Sequence, residues 1–83
     1  ANKPLFLAVG FVKPHLPWYA PQKYFDQYPL GQITLPKTQP DDLADVPAAG
    51  RRIARPEGDH KSVLDTKNWE KAVQAYLATI SFT

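Results

Sequence analysis

One histidine combines the features that favour a chemical role. His15 lies in Lys13–Pro17, which reads Lys-Pro-His-Leu-Pro, and a proline ring fixes its backbone φ near about −65°. A histidine can transfer a proton, bind an anion when charged, or ligate a metal when neutral. Lys13 adds a cationic group to the same segment. The segment is the first candidate for a catalytic or binding site, and the alternative is a loop histidine bonded only to backbone.

The other chemically capable side chains form no recognisable pattern. His60 follows an aspartate in a polar stretch, whereas a metal site needs three or four converging ligands. Asp41, Asp42 and Asp45 lack the spacing and central glycine of a calcium loop. We interpret His60 as a surface histidine and the aspartates as a solvated turn, and we expect no metal site. The sequence also lacks cysteine, a serine elbow and a glycine-rich phosphate loop.

Composition and charge argue against two classes of partner. A formal net charge of +2 over 83 residues is too small to favour nucleic acid. The basic cluster, Arg51, Arg52 and Arg55, has no interleaved aromatic residues for base stacking. The apolar run near the start is far shorter than the ~20 residues of a membrane helix. We therefore expect neither nucleic acid nor a membrane as a partner.

A buried strand is expected to position His15. Leu5–Gly10 is a continuous apolar run ended by glycine, which is typical of a strand covered on both faces. Ligands of open parallel sheets bind just beyond the carboxyl ends of the strands. His15 would then lie in a loop at the rim of the sheet.

Two helices are predicted downstream. Pro21–Tyr28 gives about two helical turns and begins with proline, which suits a first turn. Trp69–Ile80 carries apolar residues at spacings of three and four, so it predicts an amphipathic helix that packs on the strand. Asp65 or Thr66 would cap this helix, and Glu70 lies near the positive end of its dipole.

The middle of the chain predicts little regular structure. Ile33–Leu35 reads as a short edge strand, and Asp41–Asp45 reads as a brief helical turn. Ala48–Ser62 shows no period and is expected to be a long surface loop. Loops of this length are uncommon in compact domains unless they are functional or disordered. This favours a chain that is normally covered by other polypeptide.

The first third of the sequence resembles a known family. Pro4–Phe11, Lys13–Pro17 and Ala20–Pro21 are similar to the central part of type I sulfatases, above all to the iduronate-2-sulfatase-like branch. There, a strand reading like "PFFLAVG" runs into a "KPHxP" loop. The likeness continues through Lys23–Tyr28 and Ile33–Pro36.

The end of the sequence carries the same resemblance. Gln74–Phe82 looks like the family's "YxAxxSYxD" helix, while Thr38–Thr66 matches poorly. One departure is Val12, where relatives often have histidine. The resemblance implies an α/β fold of the alkaline-phosphatase type, with a large mixed sheet between helices.

The resemblance also implies an activity. The family hydrolyses sulfate esters of saccharides or smaller molecules, using a formylglycine made from cysteine or serine and a bound calcium ion. By its match to the motif, His15 would contact the sulfate group and assist at the leaving oxygen, and Lys13 would lie beside it as a substrate-binding residue. The implied compartment of the parent protein is periplasmic, extracellular or lysosomal.

The family's nucleophile motif, Cys/Ser-x-Pro-x-Arg, and its metal-binding aspartates do not occur here, and the sequence does not begin with methionine. We therefore expect residues 1–83 to be a single partial domain, an internal segment of a sulfatase catalytic domain. The expected fragment has one buried strand, a short helix, long proline-rich loops and a C-terminal amphipathic helix. Its partner would be the remainder of that domain, and alone it would be inactive.

Two other interpretations stay open at the level of sequence. Trp18, Tyr19 and the nearby prolines could form a small interaction module that binds extended peptides without catalysis. The chain could also be a structural piece whose exposed strand edges pair with neighbours.

Overall fold

The computed structural model describes residues 2–83 as four helices joined by turns and extended segments. The helices are α1 (Gln22–Phe25), α2 (Ala48–Ala54), α3 (Asp59–Asp65) and α4 (Trp69–Phe82). Within residues 2–83 there is no β-strand. None of the helices in this range has the length and apolar character needed to cross a bilayer.

Helix α4 is the element on which the others are assembled. Its apolar residues recur every three or four positions, and the predicted amphipathic helix is confirmed. Ala78 and Thr79 are fully buried. The Thr79 hydroxyl donates to the Tyr76 carbonyl at 2.8 Å, so this buried polar group has a partner. Both α1 and α3 pack on α4.

Helix α1 and the turn that follows it are attached to α4 by a ring contact and by hydrogen bonds. Tyr24 meets Phe82 edge-on, with ring centroids 5.4 Å apart. The Tyr28 hydroxyl lies 2.7 Å from Ser81 Oγ, and the Tyr28 carbonyl accepts from Gln74 Nε2 at 2.8 Å. The helix was predicted in the right place but too long, because it ends at Phe25 and the chain then turns.

A glycine turn follows α1. Gly31 has a φ of 85°, a left-handed conformation that glycine adopts without steric cost. Its N–H donates to the Glu70 carboxylate in the first turn of α4. Because Glu70 is in the first turn of α4, it lies at the positive end of the helix dipole, as predicted. Its carboxylate also fixes the glycine turn by accepting the Gly31 N–H.

The predicted surface loop over Ala48–Ser62 is wrong, because α2 and most of α3 lie within it. Helix α2 begins after Pro47, whose ring favours a helix start, and ends at Ala54, which is followed by Arg55 with a φ of 50°. The Arg51 guanidinium donates to the carbonyls of Val46 and Ala44 at 2.9 and 2.6 Å. These bonds fold the chain before α2 back against the helix.

Helix α3 is joined to α4 by a tight link. Its Lys61 ammonium is paired with Asp65 on the next turn, and this hydrogen bond and charge raise the pKa of Lys61. The predicted cap of α4 is wrong, because the residue before α4 is Asn68. Thr66 instead donates to the Ser62 carbonyl at 2.8 Å, closing the end of α3.

The expected buried strand is also wrong. Leu5–Gly10 is extended but exposed, and Phe6 shows 91% of its surface. A strand needs a neighbour to pair with, and residues 2–83 provide no second strand. The edge strand predicted at Ile33–Leu35 is absent from this range for the same reason, and α4 packs on helices instead of on a strand.

Candidate functional site

The loop around His15 is a compact turn between the extended segment and α1. The His15 N–H donates to the Val12 carbonyl at 3.0 Å, which closes the turn. The peptide bonds before Pro14 and Pro17 are both cis. The His15 side chain is exposed. The predicted proline-bracketed loop is therefore present, although no strand leads into it.

The imidazole of His15 is held by its own loop. Nδ1 lies 2.7 Å from the carbonyl oxygen of Leu16. A carbonyl oxygen only accepts, so this bond requires the proton on Nδ1. The other nitrogen, Nε2, has no hydrogen-bond partner among residues 2–83. It can accept a proton when the ring is neutral, and it can donate to an anion when the ring is charged.

Lys13 also serves the loop. Its ammonium donates to the Pro17 carbonyl and lies 5.8 Å from the centroid of the Tyr19 ring. This contact draws the Lys13 side chain across the turn that carries His15. An ammonium has three donors, so one bond to the backbone leaves two donors for a ligand.

Trp18 attaches the loop to α4, which sequence reasoning missed. Its indole Nε1 donates to the Pro14 carbonyl at 2.8 Å in a partly buried setting. The indole ring also contacts Tyr76 of α4. The two rings meet edge-on, with centroids 6.3 Å apart and an interplanar angle of 76°. The sequence indicates only that Trp18 is an aromatic residue near prolines, because the bond depends on how the turn is folded.

The remaining candidate residues do not join this site. His60 is exposed, and its ring stands edge-on to Trp69 with centroids 5.1 Å apart. Asp41, Asp42 and Asp45 lie in a run of turns. Across the part of the chain that the structure describes, no three acidic, histidine or cysteine residues gather where they could hold a metal.

Two shallow cavities lie away from the loop. One, of about 430 Å³, is lined by residues 51, 52 and 55–58 at the end of α2. The other, of about 300 Å³, is lined by residues 27–29, 32–34 and Leu77. His15 lines neither of these two, so its ring faces open solvent in this chain.

Comparison with known proteins gives a consistent family. A sulfatase from Formosa agariphila is 45% identical over 85 residues, which cover 98% of this chain and 16% of that protein. The iduronate 2-sulfatases of Homo sapiens and Mus musculus are each 53% identical over 32 residues, covering 39% of this chain and 6% of theirs. No protein-family model matches the sequence, and no solved structure gives a significant match. These matches support a sulfatase-family segment, which spans 16% of the length of the bacterial relative.

Proposed function

We propose that this chain is part of an enzyme that hydrolyses sulfate esters, and that His15 is its contribution to the active site. The observation that carries the proposal is 45% identity to a sulfatase across 98% of the chain. An interaction module without catalysis is not favoured by this relationship. The loop geometry supports the choice of His15, because its ring is exposed and oriented through Nδ1 while Nε2 stays free.

The proposed role of His15 follows from the chemistry of sulfate esters. Cleavage of the ester bond leaves negative charge on the departing oxygen. A protonated imidazole can donate from Nε2 to that oxygen or to a sulfate oxygen, and thereby stabilise the developing charge. The Nδ1 bond to Leu16 keeps the ring from rotating away. Lys13 supplies positive charge beside the histidine, which favours an anionic group in the same place.

The substrate class is proposed from the family alone. The group recognised is a sulfate ester on a saccharide or on a smaller molecule. The rest of the sulfatase polypeptide is the proposed partner of this segment, because 83 residues correspond to only 16% of the bacterial relative.

The calcium ion and the formylglycine implied by the family do not fit these residues. Within residues 2–83 no cluster of metal-binding side chains occurs. The sequence has no cysteine, and neither Ser62 nor Ser81 lies in the required Ser-x-Pro-x-Arg motif. We propose that both groups belong to other parts of the polypeptide, and the role given to His15 passes through neither.

The test is substitution of His15 in the full-length enzyme. His15→Ala is expected to lower kcat by about 10² or more, as for loss of a general acid. The loss should be larger for an alkyl sulfate than for a nitrophenyl sulfate, whose leaving oxygen needs no proton. His60→Ala is the matched control, since it removes the other histidine. An unchanged rate in His15→Ala would refute the role.

The isolated segment gives a second test. We expect residues 1–83 alone to show no turnover of an aryl sulfate, because the nucleophile motif is absent from the sequence. Turnover above the uncatalysed rate by the purified 83-residue chain would contradict this.

A further inference from the structure

We infer that Trp18 is a positioning residue for His15, an inference that rests on the proposed function of His15. The indole N–H holds the carbonyl of Pro14, the residue directly before the histidine, at 2.8 Å. The indole ring rests edge-on against Tyr76 of α4. Trp18 thus connects the peptide that carries the histidine to the most buried helix of the segment.

The hydrogen bond constrains the backbone at the right place. The carbonyl of Pro14 and the N–H of His15 belong to one planar peptide unit, so fixing the oxygen fixes the orientation of the whole unit. The N–H of that unit also donates to the Val12 carbonyl at 3.0 Å. Both polar groups of the peptide before His15 are therefore engaged, and the indole holds one of them.

The imidazole is constrained on its other side by the carbonyl of Leu16. The ring position therefore depends on the orientation of the peptide units before and after His15. Lys13 braces the same turn through the Pro17 carbonyl, but its contacts stay within the loop. Trp18, in contrast, contacts a residue outside the loop, Tyr76 of α4.

Loss of this bond should affect catalysis more than binding. A displacement of about 1 Å in a reacting group can cost 10²-fold in rate. Removal of one of several constraints on His15 should cost less, about tenfold. The substrate is bound by many other groups of a full-length sulfatase, so KM should stay nearly constant.

The first experiment is Trp18→Phe in the full-length enzyme. Phenylalanine keeps an aromatic ring against Tyr76 and removes the N–H donor. We expect kcat to fall about tenfold with KM within about twofold. Tyr19→Phe is the matched control, because Tyr19 is a neighbouring aromatic residue whose exposed hydroxyl has no hydrogen-bond partner in residues 2–83. A kcat within twofold of the wild type in Trp18→Phe would overturn the inference.

The second experiment separates positioning from a general structural role. If Trp18 acts through His15, Trp18→Phe should cause no further loss of kcat in a His15→Ala background. The same tenfold loss in both backgrounds would show that Trp18 acts independently of the histidine, and would overturn the inference.

The outcomes also separate this inference from the proposed function. Loss of activity in His15→Ala with a neutral Trp18→Phe overturns the inference alone. A neutral His15→Ala removes the proposed function, and the inference falls with it. If Trp18→Phe does not fold, Tyr76→Leu provides the same test, because it keeps the indole donor and removes the ring that holds it. Its loss of kcat should likewise vanish in the His15→Ala background, and an equal loss there would overturn the inference.

Discussion

At the scale of single residues, Tyr28 links the first third of the chain to its last helix. Its hydroxyl lies 2.7 Å from Ser81 Oγ, and its carbonyl accepts from Gln74 Nε2 at 2.8 Å. Both bonds are partly buried and join positions far apart in sequence. Because such groups lose water when they pair, an unpaired partner is costly. Tyr28 should therefore be one of the residues on which the position of α1 depends.

Tyr28→Phe should loosen the last turn of α4. The change removes the bond to Ser81 and keeps the ring, so we expect a loss of about 1 kcal/mol in the local opening free energy. Amide hydrogen exchange around Ser81 measures it. Tyr24→Phe is the control, since the Tyr24 hydroxyl has no hydrogen-bond partner among residues 2–83 and its ring still meets Phe82. Equal effects in the two variants would contradict this assignment.

At the residue scale, the sequence predicts the loop around His15 but not the hydrogen bonds within it. The two prolines around His15 predict a constrained loop, because each ring restricts its own backbone, and a loop is present there. The bonds of Lys13 to Pro17 and of Trp18 to Pro14 were not predictable. They depend on the path of the turn, which brings carbonyl groups toward side chains four residues away.

At the scale of elements, the junction between α3 and α4 is a Schellman motif. The Asn68 N–H donates to the Val63 carbonyl and the Lys67 N–H to the Leu64 carbonyl, both at 2.9 Å. Lys67 has a φ of 56°, the left-handed conformation that this motif requires. Glycine is the usual residue here, because a Cβ atom makes this conformation costly.

Lys67→Gly should stabilise the junction. Glycine relieves the cost of the left-handed conformation, so we expect a gain of about 0.5–1 kcal/mol in the protection of α3. Amide hydrogen exchange across Asp59–Asp65 measures it. Lys67→Ala is the control, since it removes the ammonium and keeps the Cβ atom, and it should give no gain. A gain in Lys67→Ala as large as that in Lys67→Gly would show that charge, not backbone conformation, is the cause.

Element length decided which helices could be predicted. Helix α4 has 14 residues, long enough for its apolar stripe to repeat several times. Helices α2 and α3 have seven residues each, and α2 packs on no other helix in the described range. A helix without a buried face has no reason to show an apolar period. This explains why α2 was predicted as loop, whereas α3 packs on α4 but is too short for its apolar residues to repeat.

At the scale of the whole molecule, the segment is open and elongated. Its radius of gyration is 17.9 Å, whereas a compact domain of this length would have about 12 Å. Its accessible surface is 7264 Å², compared with about 5,000 Å² for a compact monomer of this size. The sequence predicts a buried strand because its apolar run is real, but burial depends on a packing partner, and residues 2–83 provide none for this segment. That dependence explains why the predicted strand failed while the helix α4 succeeded.

The apolar segment Leu5–Val12 should make the isolated chain associate. Its large apolar side chains each expose at least 70% of their surface, and an exposed extended segment of this kind favours pairing between chains. Phe6→Lys should therefore shift the 83-residue chain toward monomer in sedimentation velocity. Ile53→Lys is the matched control, because Ile53 is 84% exposed but stands alone on α2. A monomeric wild-type chain, or an equal shift in both variants, would contradict this.

The bond between Gly31 and Glu70 has a consequence for tolerance to insertion. It brings two points 39 positions apart in sequence into contact, so the chain from Gln32 to Trp69, which contains α2 and α3, forms a loop closed by this contact. Each doubling of the length of such a loop costs only about 0.6 kcal/mol in closure entropy. Insertions or deletions in this loop are therefore expected to be tolerated without moving the histidine.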